Sequence, residues 1–242
     1  MSKTKGLKRF EDRLNYFRQD VELADLIVIN KETLKGVNSI VSQADDGNHP
    51  LLNDRQNNAN SRTLITGHLR KTIFVSFFKD IYEEVSEYFQ YLLKQGSLAG
   101  IPGGRLIGEH VFDISANTLL MMPDKNSVVE YVTQEVYRKL ENEKSTSKLL
   151  NKMNNKLALN IPQPIIDAAI PYLEIRHIFV HRDGKPDNSF RRKYRFVNID
   201  SKGRIDLTIT LINDAYDKIH ALLKQFDNTM IASGFVRHSE IV

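Results

Sequence analysis

The chain has 242 residues, of which 41% are hydrophobic and 26% are charged, and its formal net charge is +4 at pH 7. This composition is too apolar for a disordered protein and suits one large domain, or one domain with an appendage. Cysteine is absent, which excludes disulfides, thiolate metal ligands and cysteine nucleophiles. No apolar run approaches the roughly 18 residues of a transmembrane helix, and the amino terminus lacks the apolar core of a secretory signal. We therefore expect a cytoplasmic protein with no membrane segment.

The first 45 residues predict a helical arm that precedes the main body. Apolar residues recur at spacings of three and four between residues 7 and 21, which predicts an amphipathic helix in residues 6 to about 40. Within this range the assignment of residues 24–41 is ambiguous. Residues 42–61 are rich in Asn, Asp and Gly and have almost no periodicity, as is typical of a loop or linker. We predict an arm at residues 1–45, a linker at residues 46–61 and one domain at residues 62–242.

The pattern from residue 62 onward is mostly helical. A broad apolar stripe from Leu69 to Phe89 predicts a long buried helix, which Gly96 is placed to end. Further helical patterns occupy residues 126–143, 148–159, 163–184 and 213–233, with a short one near residues 114–121. Alternation on both sides of "DSKG" is compatible with one short β-hairpin near residues 194–209. The predicted fold class is all-α, a helical bundle with an amino-terminal helical appendage.

The stretch "EIRHIFVHRDG" at residues 174–184 places two histidines and two arginines at the end of an apolar helix. His177 and His181 are four residues apart and share one helix face. Arg176 lies about 140° from His181 around an ideal helix, which its long side chain can bridge. Histidine is suited to proton transfer near neutral pH, and the arginine fork binds phosphate and stabilises negative charge on it. Such an arrangement indicates a phosphodiester site.

Two other interpretations of this stretch stay open. Polar side chains at a helix end often only meet solvent and satisfy the last carbonyl groups. A histidine pair at i and i+4 is also a pattern of zinc ligands, but no Glu lies between His177 and His181 and no third ligand is evident in the sequence. We expect neither a metal nor a cofactor.

The sequence "RHIFVH" resembles the motif of the HEPN superfamily, in which an Arg is followed after four to six residues by a His, and "VHRDG" is similar to the usual ending of that motif. The residue after the Arg is often Asn, Asp or His in the family, and here it is His177. The helix "LRKTIFVSFFKDIYEEVSEYF" resembles the family's first core helix, which usually carries an inward acid. Glu83 is the first candidate for that acid and Glu84 the second. The resemblance covers roughly residues 62–230.

This resemblance implies a helical bundle that forms a homodimer, with the motifs of both protomers in one composite site. Many family members are metal-independent endoribonucleases of toxin, phage-defence or RNA-processing systems. RNA is then the implied substrate, and an antitoxin or a defence-system protein is an implied partner. By position, His181 would be the general acid and base for attack of the ribose 2′-OH, Arg176 would hold the phosphate, and His177 would orient or assist. The product ends would be a 2′,3′-cyclic phosphate and a 5′-OH.

A basic segment interleaved with aromatic residues follows the motif directly. Cations neutralise phosphates and aromatic rings stack on unpaired bases, so this segment predicts contact with RNA, and a solvated basic loop is the alternative. The predicted RNA-binding residues are Arg182, Lys185, Arg191, Arg192, Lys193, Tyr194 and Arg195.

Two other functions compete with the endoribonuclease. An inactive HEPN-like module would bind RNA or nucleotides saturably without cleaving them. A helical interaction subunit would use the motif only to build an interface, so that His181→Ala would change association and not RNA chemistry.

Overall fold

The computed structural model describes residues 2–108, 113–143 and 145–242, and their regular structure is almost entirely helical, which confirms the all-α prediction. The α-helices in these ranges are α1 (Lys5–Ile29), α2 (Pro50–Asn53), α3 (Ala59–Leu98), α4 (Gly103–Ile107), α5 (Ala116–Leu120), α6 (Lys125–Glu141), α7 (Thr146–Leu157), α8 (Gln163–His181), α9 (Asn188–Lys193) and α10 (Ile209–Ala232). None of them combines the length and the apolar character that crossing a bilayer requires.

Helix α1 pairs with α3 and belongs to the same core as the rest of the bundle. Thr4 caps its first turn by accepting a hydrogen bond from the Leu7 N–H at 3.1 Å. The Phe17 and Phe77 rings meet at 5.8 Å, and an ion pair joins Asp25 to Arg70. The helix ends at Ile29 and not near residue 40; two short 3-10 turns follow it, and Gly36 adopts a φ of +102° that no helix contains.

Helix α3 is the long helix that the sequence predicts, but its bounds differ. It begins at Ala59, where the Asn58 side chain accepts the Ser61 N–H at 2.9 Å, so the first turn lies in the predicted linker. It passes through Gly96 and ends at Leu98. Gly96 is needed for close packing, because a Cβ there would lie 2.6 Å from the Ile101 side chain.

The β-hairpin suggested near residues 194–209 does not form. Only a single antiparallel bridge, between Ile199 and Ile205, lies there. The Asp200 carboxylate accepts the backbone N–H groups of Lys202 and Arg204, each at 2.8 Å. The Asp200 N–H also donates to the Arg204 carbonyl at 2.7 Å, and the Asp206 N–H donates to the Asn198 carbonyl at 2.9 Å. The Asp200 side chain and these few backbone bonds together hold the turn. Just before it, residues 188–193 form α9, whose first turn Asp187 caps.

Helix α8 packs against α3, α7 and α10, and its buried residues lie between Ile166 and Ile178. Pro171 sits inside the helix without ending it. The carboxyl end is fixed by two backbone bonds, from Gly184 N–H to the Ile178 carbonyl at 3.1 Å and from Ile205 N–H to the Gly184 carbonyl at 2.9 Å. Gly184 has a φ of +77°, which glycine adopts at little cost. The last turns of α8 are thereby held against the following loop.

Candidate functional site

The guanidinium of Arg176 is held by an aromatic ring and not by an acid. Its carbon lies 4.7 Å from the centroid of the Tyr82 ring, which α3 supplies. In the part of the chain that the structure describes, Arg176 makes no hydrogen bond and no ion pair. Burial, and then the charge of Glu141, raise the pKa of Tyr82. The ring therefore supports the arginine while leaving all of its N–H donors free for an anion.

His177 and His181 lie side by side on the exposed end of α8. Their ring centroids are 4.5 Å apart, and both side chains are exposed. The pKa of His177 is lowered, first by its partial burial and then by the nearby charges of His181, Arg182 and Arg176. Near pH 7 this imidazole is consequently neutral, with a lone pair able to accept a proton.

A groove of about 760 Å³ opens beside this end of α8. We call it the α8 groove. Arg176 and His177 line it on one side and Lys193 of α9 on the other, whereas His181 stands at the adjoining surface and not in its lining. The groove lining also contains four acids, so its charge is mixed: Glu141, Glu143, Glu174 and Asp187.

Glu174 is a site residue that the sequence interpretation missed. It lies on α8 three residues before His177 and lines the same groove. Burial raises the pKa of its carboxyl, which the charge of Lys193 and the hydroxyl of Tyr194 partly counteract. The i, i+3 spacing from His177 was available as a signal, because residues three apart share a helix face.

Neither acid proposed on α3 reaches Arg176. Glu83 is exposed and lines a separate small cavity with Arg13, and Glu84 pairs with the Arg13 guanidinium. Glu83 follows Tyr82 directly, so it points about 100° away around the helix. The face of α3 that meets Arg176 therefore presents a tyrosine where an inward acid was expected.

The basic segment divides into arginines that bond to the loop or to an acid and cations that form no ion pair. Arg191 donates to the carbonyls of Pro186 at 3.2 Å and Gly203 at 2.9 Å, so its guanidinium holds the loop. Arg182 forms an ion pair with Asp187 at 2.5 Å. Among the described residues no ion pair involves the remaining cations, which are Lys185, Arg192, Lys193 and Arg195. All four are exposed.

Tyr194 is not a stacking platform for a base. Its side chain is 6% exposed and its ring packs against Phe190 at 4.8 Å, inside the hydrophobic core. Burial and the neighbouring Glu174 carboxylate raise the pKa of its hydroxyl. Phe196, at 58% exposed, is the aromatic residue of this segment whose ring does face solvent.

Within the described ranges, no group of three or more His, Asp or Glu side chains is arranged to hold a metal ion. Comparison of the chain with models of protein families, with curated proteins and with solved structures finds no match.

Proposed function

We propose that this protein is a metal-independent endoribonuclease of the HEPN type that acts as a homodimer. The observation that carries the proposal is the arrangement at the end of α8. The guanidinium of Arg176, which pairs with no acid, and the neutral imidazole of His177 both open onto one groove. The imidazole of His181 lies 4.5 Å from that of His177. These are the groups that an internal transesterification of RNA requires.

The reaction uses the ribose 2′-OH as its nucleophile. His181 accepts the 2′-OH proton as the 2′ oxygen forms its bond to phosphorus. The bond from phosphorus to the 5′ oxygen breaks, and that oxygen takes a proton from an imidazolium. Arg176 binds the non-bridging oxygens and stabilises the charge that grows on them. The products are a 2′,3′-cyclic phosphate and a 5′-OH, with no net change in protons.

His177 assists as the neutral member of the pair. The lowered pKa of His177 keeps its imidazole neutral, so it adds no second positive charge 4.5 Å from His181 when His181 takes the 2′-OH proton. In a homodimer with a composite site, a second pair from the other protomer would supply the complementary protonation state. Exposure of His177, His181 and Val180, the last at 42%, leaves this face open for a second copy.

The decisive experiment is cleavage of RNA by the purified protein in EDTA, with analysis of the product ends. We expect cyclic-phosphate ends from the wild type, and a rate about 10²- to 10⁴-fold lower for His181→Ala, because general acid–base help is lost. Arg176→Ala should lower the cleavage rate by a comparable factor. Arg176→Lys should not restore activity, since an ammonium cannot form the two-pronged contact of a guanidinium. His238→Ala, at an exposed histidine outside the α8 groove, is the matched control.

Each contrary outcome points to a different function of the protein. Intact RNA after incubation with a verified dimer would overturn the proposal, and saturable binding without cleavage would favour the inactive binding module. If His181→Ala changed only association, the interaction subunit would be the better description. A toxin or phage-defence setting, with a neutralising or defence partner, belongs to the same proposal and rests on the family resemblance.

A further inference from the structure

A second groove, of about 590 Å³, lies on the other side of the last turns of α8. Phe179 lines it, two residues after His177 and therefore about 200° around the helix. The opposite wall is α3 from Gly67 to Lys79, and the turn at residues 200–207 closes one side. We call this cavity the α3 groove. None of the residues that line it lines the α8 groove.

The α3 groove carries an excess of free positive charge. Two of its arginines are neutralised, Arg70 by Asp25 and Arg204 by Asp183. Its Asp200 carboxylate accepts two backbone N–H groups but keeps its negative charge. What remains in the described structure are three exposed cations that form no ion pair, against two acids, Asp200 and Asp206. These cations are Lys71, Lys79 and Lys202. Lysines free of acids attract phosphate strongly.

The floor of the α3 groove is apolar. The Phe179 ring packs on Phe78 at 5.8 Å and on Gly184, where a Cβ would lie only 2.9 Å from the ring. Val75 extends this surface along α3, and the Arg70 guanidinium lies 4.5 Å over the buried Phe74 ring. An apolar floor with a few polar groups at its rim is the usual composition of a small-molecule site, and such sites enclose roughly 300–1,000 Å³.

We propose that the α3 groove binds a nucleoside phosphate, either free or as one unit of an RNA strand. The phosphate meets Lys71, Lys79 and Lys202, and the flat base lies on the apolar floor. The Asp206 carboxylate and the Thr72 hydroxyl are available to the base amino group and the ribose hydroxyls. This site is separate from the proposed phosphodiester site, and its occupation requires no cleavage.

Calorimetric titration of the full chain tests the proposal with four probes, namely AMP, ATP, inorganic pyrophosphate and 2′-O-methyl tetraadenylate, which has no 2′-OH to attack. The double variant Lys71→Gln/Lys79→Gln removes two groove cations at exposed helix positions. The matched control, Lys218→Gln/Lys224→Gln, removes the same charge from exposed positions on α10 that line neither groove. Circular dichroism of both variants checks that the fold is kept.

We expect saturable binding of AMP or ATP that weakens about tenfold or more in the groove variant, since charge-assisted hydrogen bonds are lost, and that is unchanged in the control. Tighter binding of the tetranucleotide than of AMP would identify an RNA strand as the ligand. Tighter binding of AMP would identify a free nucleotide. Three results would overturn the proposal. These are no saturable binding at millimolar ligand, pyrophosphate binding as tightly as ATP, and weaker nucleotide binding in Arg176→Ala but not in the groove variant. Because the readout is heat and the oligonucleotide cannot react, failure of the ribonuclease assay leaves this test intact.

Discussion

At the scale of single residues, the contact between Arg176 and Tyr82 matters because it fixes a cation without neutralising it. An acid in place of Tyr82 would hold the guanidinium equally well, but it would compete with a phosphate for the same donors. The π face of a tyrosine leaves the edge of the guanidinium plane free. We therefore infer that Tyr82 is a positioning residue for Arg176.

Substitutions at Tyr82 should distinguish the role of its aromatic ring from that of its hydroxyl. Tyr82→Phe keeps the π face and should retain nearly full ribonuclease activity. Tyr82→Leu removes it and should lower kcat/KM by about 2- to 30-fold, which corresponds to a cation–π contact of about 0.5–2 kcal/mol. Steady-state cleavage assays, with melting curves to confirm folding, check this. Equal losses in both variants would show that the ring has no role in positioning Arg176.

The pKa of His177 can be measured directly by NMR titration of its ring signals. We expect it below the ordinary value of about 6.5, and we expect it to rise in His181→Gln, because a positive neighbour that disfavours a second proton has been removed. His238→Gln should leave it unchanged. A wild-type value at or above 6.5 would contradict the neutral role given to His177 near pH 7.

The sequence was informative about this site where a single helix determines the geometry. Arg176, His177 and His181 lie within two turns, so their spacing alone predicts that they can act together. Contacts between helices could not be predicted from the sequence. Whether Tyr82 or Glu83 faces Arg176 depends on how α3 is rotated against α8, and a difference of one residue changes the direction by about 100°. Tyr82 was missed for that reason.

At the scale of elements, the turn after α8 determines how firmly the site is held. Gly184 donates to the Ile178 carbonyl, accepts from the Ile205 N–H and packs on the Phe179 ring. The helical pattern in the sequence did end at Gly184. It did not reveal α9, because its six residues contain a single apolar one, Phe190, and so show no periodicity. The Asp187 cap that starts this helix is recognisable only locally.

Gly184→Ala should destabilise the protein more than Gly234→Ala does. Both glycines have positive φ, +77° and +70°, so both variants incur the left-handed backbone cost of about 1–2 kcal/mol. Only at Gly184 would the new Cβ also meet a ring at 2.9 Å, whereas nothing lies within 4 Å at Gly234. Urea unfolding of the two variants measures the difference. Equal free energies of unfolding would mean that the Phe179 ring moves aside freely.

At the scale of the whole molecule, the position of the amino-terminal helix α1 is the feature that differs most from the predicted arm. Its apolar stripe predicted a helix that is shorter in the structure, and a stripe does not say which surface covers it. In the structure Leu7, Phe10 and Leu14 belong to the common core. In addition, the buried Asp227 on α10 accepts the Thr4 N–H at 2.9 Å and the Tyr88 hydroxyl at 3.0 Å.

Removal of residues 2–30 should therefore abolish cooperative folding. It would uncover the apolar surface beneath α1 and leave the Asp227 carboxylate with fewer donors inside the protein. Replacing residues 36–56, which are almost entirely exposed, by a short Gly-Ser linker should be tolerated and is the control. Thermal melts followed by circular dichroism check both. A truncated chain that melts cooperatively at the temperature of the full chain would show that α1 is a true appendage.

The length of α3 has a dynamic consequence. Its 40 residues extend about 60 Å. Up to residue 73 the side chains it buries fully are Ser61, Arg62 and Thr66, and the buried aromatic and aliphatic residues begin at Phe74. Local opening costs little where little apolar surface is covered, so we expect the outer turns to unwind more often than the inner ones. Lys71 and Lys79 lie on either side of that boundary, and an anion held by both would fasten the labile end of the helix to its stable half.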